Sequence, residues 1–160
     1  MLPSLQLALT VVAATGCGVV AGVFFAFSVF VMRALGRLPP AQGIAAMQAI
    51  NVTALTPLFM LLLFGTGLAC VVLAVALVPD LHEPAAGYGL AGTVLYLAGV
   101  ILVTILFNVP RNNRLAAVDP ASEDAGLLWA AYLAGWTVWN HVRTATSLAA
   151  AILLTVALRL

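Results

Sequence analysis

The stretch LWAAYLAGWTVWNHVRT, from Leu128 to Thr144, decides how the rest of the chain is read. It sets a histidine, an arginine, an asparagine, a tyrosine and three tryptophans just upstream of SLAAAILLTVAL, a run that reads as helix embedded in hydrocarbon. Ionisable groups are costly inside a bilayer, which makes His141 and Arg143 candidates for a site. Of the 160 residues, 64% are apolar and 7% charged, against roughly a quarter charged in soluble domains. Net charge is +1 with no basic tract, so nucleic-acid binding has nothing to act through.

Hydrophobic runs longer than the ~18 residues of a spanning helix recur along the chain. They predict an all-α integral membrane four-helix bundle in a single domain, with spans at about 5–32, 53–78, 88–109 and 125–157. A short amphipathic helix is expected between spans one and two, where Ile44, Met47 and Ile50 share a face and Gln42, Gln48 and Asn51 lie away from it. The first run has no preceding Lys or Arg and continues past any cleavage site, so it reads as a retained helix. Ala14, Gly18, Gly22 and Ala26 form a stripe that admits a close-packed backbone, including that of a second copy of the chain. Phe24, Phe25, Phe27 and Phe30 read as lipid contact and packing. Pro57 suits a first helical turn, Pro110 is expected to stop span three, and Ser122 is a candidate N-cap for span four. Cys17 and Cys70, isolated in apolar runs, read as buried hydrophobes.

Arg33, Arg37, Arg111 and Arg114 fall on one side of this topology. Positive-inside bias makes that side cytoplasmic and leaves both termini outside a cytoplasmic (inner) membrane. Span four is long, and Arg143 falls about 8 Å inside the inner edge of a ~30 Å hydrocarbon core. Asn51, Asn108, Asn112, Asn140, His141 and Arg143 then share one layer. Trp129, Tyr132, Trp136, Trp139, Asn140 and Arg143 form a bulky stripe that Ser147 continues. His141 shares its face with Ala134, Thr137, Thr144 and Ala145, and these small and hydroxyl residues make that face the expected bundle interior. The aromatic stripe reads either as an interfacial belt or as a binding platform, and Arg143 either as a snorkelling anchor or as part of a site. No span carries a di-iron Glu-x-x-His motif, and the two histidines fall in opposite leaflets. No metal or cofactor is expected, and a haem held by His141 alone stays open.

FSVFVMRAL (from Phe27), LPPAQGIAAMQAIN (from Leu38), NVPRNNRLAAV (from Asn108) and WTVWNHVRTATSLAAA (from Trp136) resemble the anthrone oxygenase-like family of small integral membrane proteins. The matching positions are Asn108, Pro110, Asn112, Asn113, Trp139, Asn140, His141 and Arg143. The resemblance implies a four-helix membrane bundle and oxidation of a lipophilic anthrone-like or phenolic aromatic, with dioxygen as co-substrate and no bound cofactor. In that chemistry His141 is the candidate base, while Asn108, Asn140 and Arg143 steady an enolate. Trp136 and Trp139 stack on the rings, with Asn51, Asn112 and Asn113 as further substrate-binding candidates. The expected partners are membrane lipid and a hydrophobic small molecule, with a homo-oligomer through Gly18 and Gly22. Two other classes remain: a non-catalytic lipid- or quinone-binding protein, and an accessory subunit of a membrane complex.

Overall fold

The computed structural model describes residues 4–160; the charge-free N-terminal tip, Met1 to Pro3, lies outside the described residues. Within them the chain is all-helical, without strands. It runs as α1 (Ser4–Leu35), α2 (Pro40–Thr53), α3 (Pro57–Asp80), α4 (Pro84–Ala116) and α5 (Ala125–Ala157). By length and composition α1, α3 and α4 can each cross a membrane, so this is an integral membrane protein. Four spans and one short helix were expected; the described residues form five helices, three of them long and apolar enough to cross by length and composition. Asn140, His141 and Arg143 interrupt the hydropathy of the 33-residue α5.

Proline sets most helix starts. Pro40, Pro57 and Pro84 each open a helix, where the missing N–H has no intrahelical partner to lose and φ is already suitable. α2 ends at Thr53, and Ala54 to Thr56 separate it from α3. Span two therefore does not begin at residue 53, because Pro57 disfavours helical backbone in the residue before it. Thr56 is accordingly extended, with ψ of 145°.

Pro110 does not stop its helix, contrary to the expectation from sequence. α4 runs through it to Ala116 after a π-helical stretch, Thr104–Asn108. A proline clashes with the carbonyl four residues back in a regular α-helix; the wider π turns just before it alter that ladder. Nor does Ser122 cap α5. The helix begins at Ala125, no side chain caps it, and the Ser122 carbonyl accepts the Ala125 N–H at 3.1 Å.

α5 is the axis of the bundle. It packs chiefly against α1 and α4, with α3 completing the ring and α2 closing one end against α5 and the last turns of α4. Toward its C-terminal half the core is dry: Cys17, Val20, Leu73, Tyr96, Val100 and Leu154 are fully buried together. Gly92 and Gly99 let α4 approach α5; a Cβ on Gly92 would lie 2.9 Å from Leu154 Cγ. Cys17 and Cys70 are free and buried in this core. Gly18 and Gly22, by contrast, have nothing within 4 Å of an added Cβ, so no other helix packs closely on these two positions.

Three helices around α5 carry π-helical stretches: Phe27–Val31 in α1, Leu61–Gly65 in α3, and Leu97–Leu102 with Thr104–Asn108 in α4. α5 itself is regular throughout. Where a ladder changes pitch, carbonyls and short polar side chains become free to pair outside their own helix. The candidate site is built from such groups.

Candidate functional site

The buried face of α5 is Trp129, Tyr132, Trp136, Asn140, Arg143 and Ser147. This overturns the expectation that the His141 face looks inward. Within lipid both sides of a helix meet apolar surroundings, and the polar groups of this stripe find partners that only the bundle offers. Asn140 is fully buried, and its Nδ2 donates to the Phe24 carbonyl at 2.7 Å and to Ser28 Oγ at 2.8 Å. Ser28 Oγ also meets Thr144 Oγ1 at 3.1 Å. Ser147 donates to the Cys17 carbonyl at 2.8 Å. α1 and α5 are thus stitched together through carbonyls near the α1 π turns and above them.

Arg143 is 5% exposed. Its Nη2 donates to Asn140 Oδ1 at 2.8 Å and its Nη1 to Thr104 Oγ1 at 3.2 Å, while Nε has no partner. The guanidinium lies 4.1 Å from the centre of the Phe24 ring and 5.1 Å from that of Trp136. Cation–π contact of this kind offsets part of the desolvation of a buried cation. A carboxylate would offset more, yet among the described residues none pairs with Arg143; the one ion pair is the exposed His82–Glu83 contact at 3.5 Å.

Beside the guanidinium is a half-open cavity of about 140 Å³. Phe24, Phe27, Met60 and Trp136 give it apolar walls, and Asn51, Thr104, Asn112 and Arg143 supply its polar groups. Ala54 and Leu55, in the break between α2 and α3, stand at its edge, and Leu55 is exposed. Asn51 Nδ2, Trp136 Nε1 and Asn108 Oδ1 are buried without partners, as is Arg143 Nε. Buried polar groups are normally satisfied, and such a cluster points to a ligand or water.

A family model described as Anthrone oxygenase matches residues 58–153. This chain belongs to that family. The match takes in nearly all of α3, the whole of α4 and most of α5, and with them Thr104, Asn108, Asn112, Trp136, Asn140 and Arg143. α1 and α2, which contribute Phe24, Ser28 and Asn51, lie outside the matched residues. No curated protein and no solved structure matches the chain.

The fold brings some of the sequence candidates of this family member together and leaves others out. Arg143, Asn140, Trp136, Asn51 and Asn112 converge on or behind the cavity. Asn108 is buried next to it, its Nδ2 3.4 Å from the Trp136 carbonyl. Asn112 Oδ1 accepts the Tyr132 hydroxyl at 3.0 Å. His141 is exposed on the opposite face and lines a shallow outer groove with Arg33, Ala134 and Thr137. Asn113 is exposed, and Trp139 stacks flat on Phe107, ring centres 3.6 Å apart, outside the cavity.

The aromatic stripe is not an interfacial belt. Trp129, Tyr132 and Trp136 are buried and follow one another at 5.7 and 6.3 Å between ring centres. Gln48 was expected on the polar side of α2, but its Nε2 donates to the Leu115 and Val118 carbonyls at 2.9 and 3.0 Å. It thereby holds α2 to the end of α4. Phe24 and Phe27 read from sequence as lipid contact and packing, and Ser28 and Thr104 were not singled out as site residues. Their one signal was spacing, since Phe24 and Ser28 stand four apart on the α1 face that buries Ala21 and Val20.

Proposed function

We propose that this chain is a membrane-embedded oxygenase that oxidises a lipophilic anthrone-like or phenolic aromatic with dioxygen, without a bound cofactor. One observation carries the reading: Arg143, a buried guanidinium with no carboxylate partner among the described residues and with Nε unpartnered, lines a half-open apolar cavity in an anthrone oxygenase family fold. A buried charge without a partner is strongly disfavoured, so the cavity selects a ligand that brings negative charge to it. Phe27 and Trp136, their ring centres 5.7 Å apart, form one apolar wall on which an aromatic ring lies with its oxygen toward Arg143.

The chemistry follows from that charge. A doubly benzylic C–H next to a ring carbonyl is acidic because the resulting electron pair delocalises onto oxygen. Arg143 stabilises that oxyanion most, because fixed donors act strongly in a low-dielectric site. The carbanion transfers its electrons to dioxygen, a C–O bond forms, and loss of water from the hydroperoxide leaves a carbonyl. His141 lies on the far face, and no carboxylate or imidazole lines the cavity among the described residues. The substrate therefore loses its proton to water at the Leu55 edge and binds as the enolate; with no protein base in the cavity, it is Arg143 that makes the substrate more acidic by stabilising that enolate. Asn140 is the positioning residue that aims the guanidinium.

α5 is read as a fourth span, in a cytoplasmic membrane with both termini outside. At ~1.5 Å per residue its 33 residues extend about 50 Å, more than a ~30 Å core requires. The exposed Gly18 and Gly22 stripe is free for a second copy of the chain.

The test is oxygen uptake by the purified protein in lipid nanodiscs supplied with an anthrone. The parent should consume dioxygen and yield the quinone, while folded Arg143→Ala protein should not. Equal rates for the two would end the proposal. A second reading, a non-catalytic quinone- or lipid-binding protein, is favoured by the lack of a base in the cavity. It predicts saturable binding of a quinone that depends on Arg143, with no oxygen uptake.

A further inference from the structure

A second cationic groove, unconnected with the oxidation chemistry, lies where the last turns of α4 meet the first turns of α5. It has a volume of about 300 Å³ and is lined by Arg111, Arg114, Leu115, Val118, Leu128 and Gly135, among others. Arg111 and Arg114 stand three residues apart, hence on one side of the helix. Arg111 is half-buried, and its Nη1 donates to the Phe107 carbonyl at 2.7 Å. Gly135 leaves it room: a Cβ there would lie 2.9 Å from Arg111 Nε. Among the described residues neither arginine is in an ion pair. Of the three acids in the adjoining connection, Asp119, Glu123 and Asp124, none pairs with either arginine, and Asp119 instead accepts the N–H of Ala121 at 2.9 Å.

We propose that this groove binds an anionic phospholipid, its phosphate on Arg111 and Arg114 and an acyl chain along Leu115, Val118 and Leu128. Guanidinium groups hold phosphate oxygens in paired, charge-assisted hydrogen bonds. α4 and α5 each have 33 residues, about 50 Å of helix, so these outer turns stand in the headgroup layer of a ~30 Å core. Leu128 is 45% exposed and Val118 half-buried. A free inorganic ion would leave that apolar wall in water, whereas a lipid covers it and neutralises the arginines together.

Native mass spectrometry of the full chain in detergent, given equal amounts of phosphatidylglycerol and phosphatidylcholine with identical acyl chains, reads this directly. The parent should retain the anionic lipid over the zwitterionic one by about tenfold, a size suited to charge-assisted pairing. The Arg111→Gln, Arg114→Gln double variant should bring the ratio close to one. Gly135→Ala, which crowds Arg111 without removing charge, should give an intermediate ratio and serves if the double variant misfolds. A parent ratio near one, or a parent-like ratio in both variants, overturns the proposal. So does displacement of the lipid by millimolar inorganic phosphate, which would make this a site for the free ion.

Discussion

Arg143 and His141 are two residues apart on α5, which sets them about 200° apart around its axis. Arg143 is enclosed by Asn140, Thr104, Phe24 and Trp136, while His141 looks outward over Ala134 and Thr137 beside Arg33. Both are basic and both belong to the same Trp-Asn-His-x-Arg run. The difference teaches that the polarity of a membrane helix is assigned by what its neighbours offer. α1 and α4 present a free carbonyl, a serine and a threonine to one face at the level of their π turns, and α5 turns its hydrogen-bonding side chains there.

The comparison is broken most directly by exchanging charge at each position. Arg143→Ala should lower oxygen uptake with an anthrone by on the order of a hundredfold or more, the loss typical of removing an oxyanion donor. His141→Gln should leave it within about twofold, since an exposed side chain on the opposite face makes no transition-state contact. A large loss at His141 together with a small one at Arg143 would reverse the assignment of the two faces.

Asn140→Asp sharpens the same contrast, because it places a carboxylate against the guanidinium. An internal counter-ion competes with an enolate ligand, so uptake should fall by about tenfold while helicity holds. The carboxylate also takes away the donor to the Phe24 carbonyl, so the melting midpoint should fall as well. Asn140→Leu acts on stability. It strands the Phe24 carbonyl, Ser28 and one arm of Arg143, at a cost of about 1–3 kcal/mol for a buried group left unpaired. Thermal unfolding in detergent measures this, and an unchanged midpoint would show that the α1–α5 stitch is dispensable.

Thr104→Val removes the weaker partner of Arg143, at 3.2 Å. The expected loss of activity is about threefold to tenfold, read as a fall in kcat/KM. The smallest effect belongs to the outer face: His141→Phe should shift stability by no more than about 0.5 kcal/mol, as for other exposed substitutions.

Much of the architecture could be read without coordinates. The apolar runs, the prolines at 40, 57 and 84 and the short helix carrying Ile44 and Met47 all appear where periodicity puts them. Of the expected polar layer, Asn51, Asn108, Asn112, Asn140 and Arg143 come together at or beside the cavity, whereas His141 stands apart on the outer face. Pro110 misled because the rule that it ends a helix presumes regular α geometry, and the π turns before it have no signature in composition. The faces of α5 were misassigned for a related reason. Small residues mark close helix contact in general, but here Gly92 and Gly99 supply the closeness from α4, leaving the bulky stripe of α5 to fill the space. Phe24 was read as lipid contact and Ser28 passed over, because a phenylalanine-rich run looks the same whichever ring turns inward.

By itself the amino-acid sequence determined that the chain lives in a membrane, where its helices run, and that one run concentrates costly polar groups. Hydrophobicity and chain-breaking residues act locally, so they are legible one segment at a time. Only the tertiary structure decided that Arg143 faces a cavity and His141 does not. That choice depends on which carbonyls and hydroxyls two other helices, α1 and α4, leave free for pairing beside α5, a property no single helix possesses.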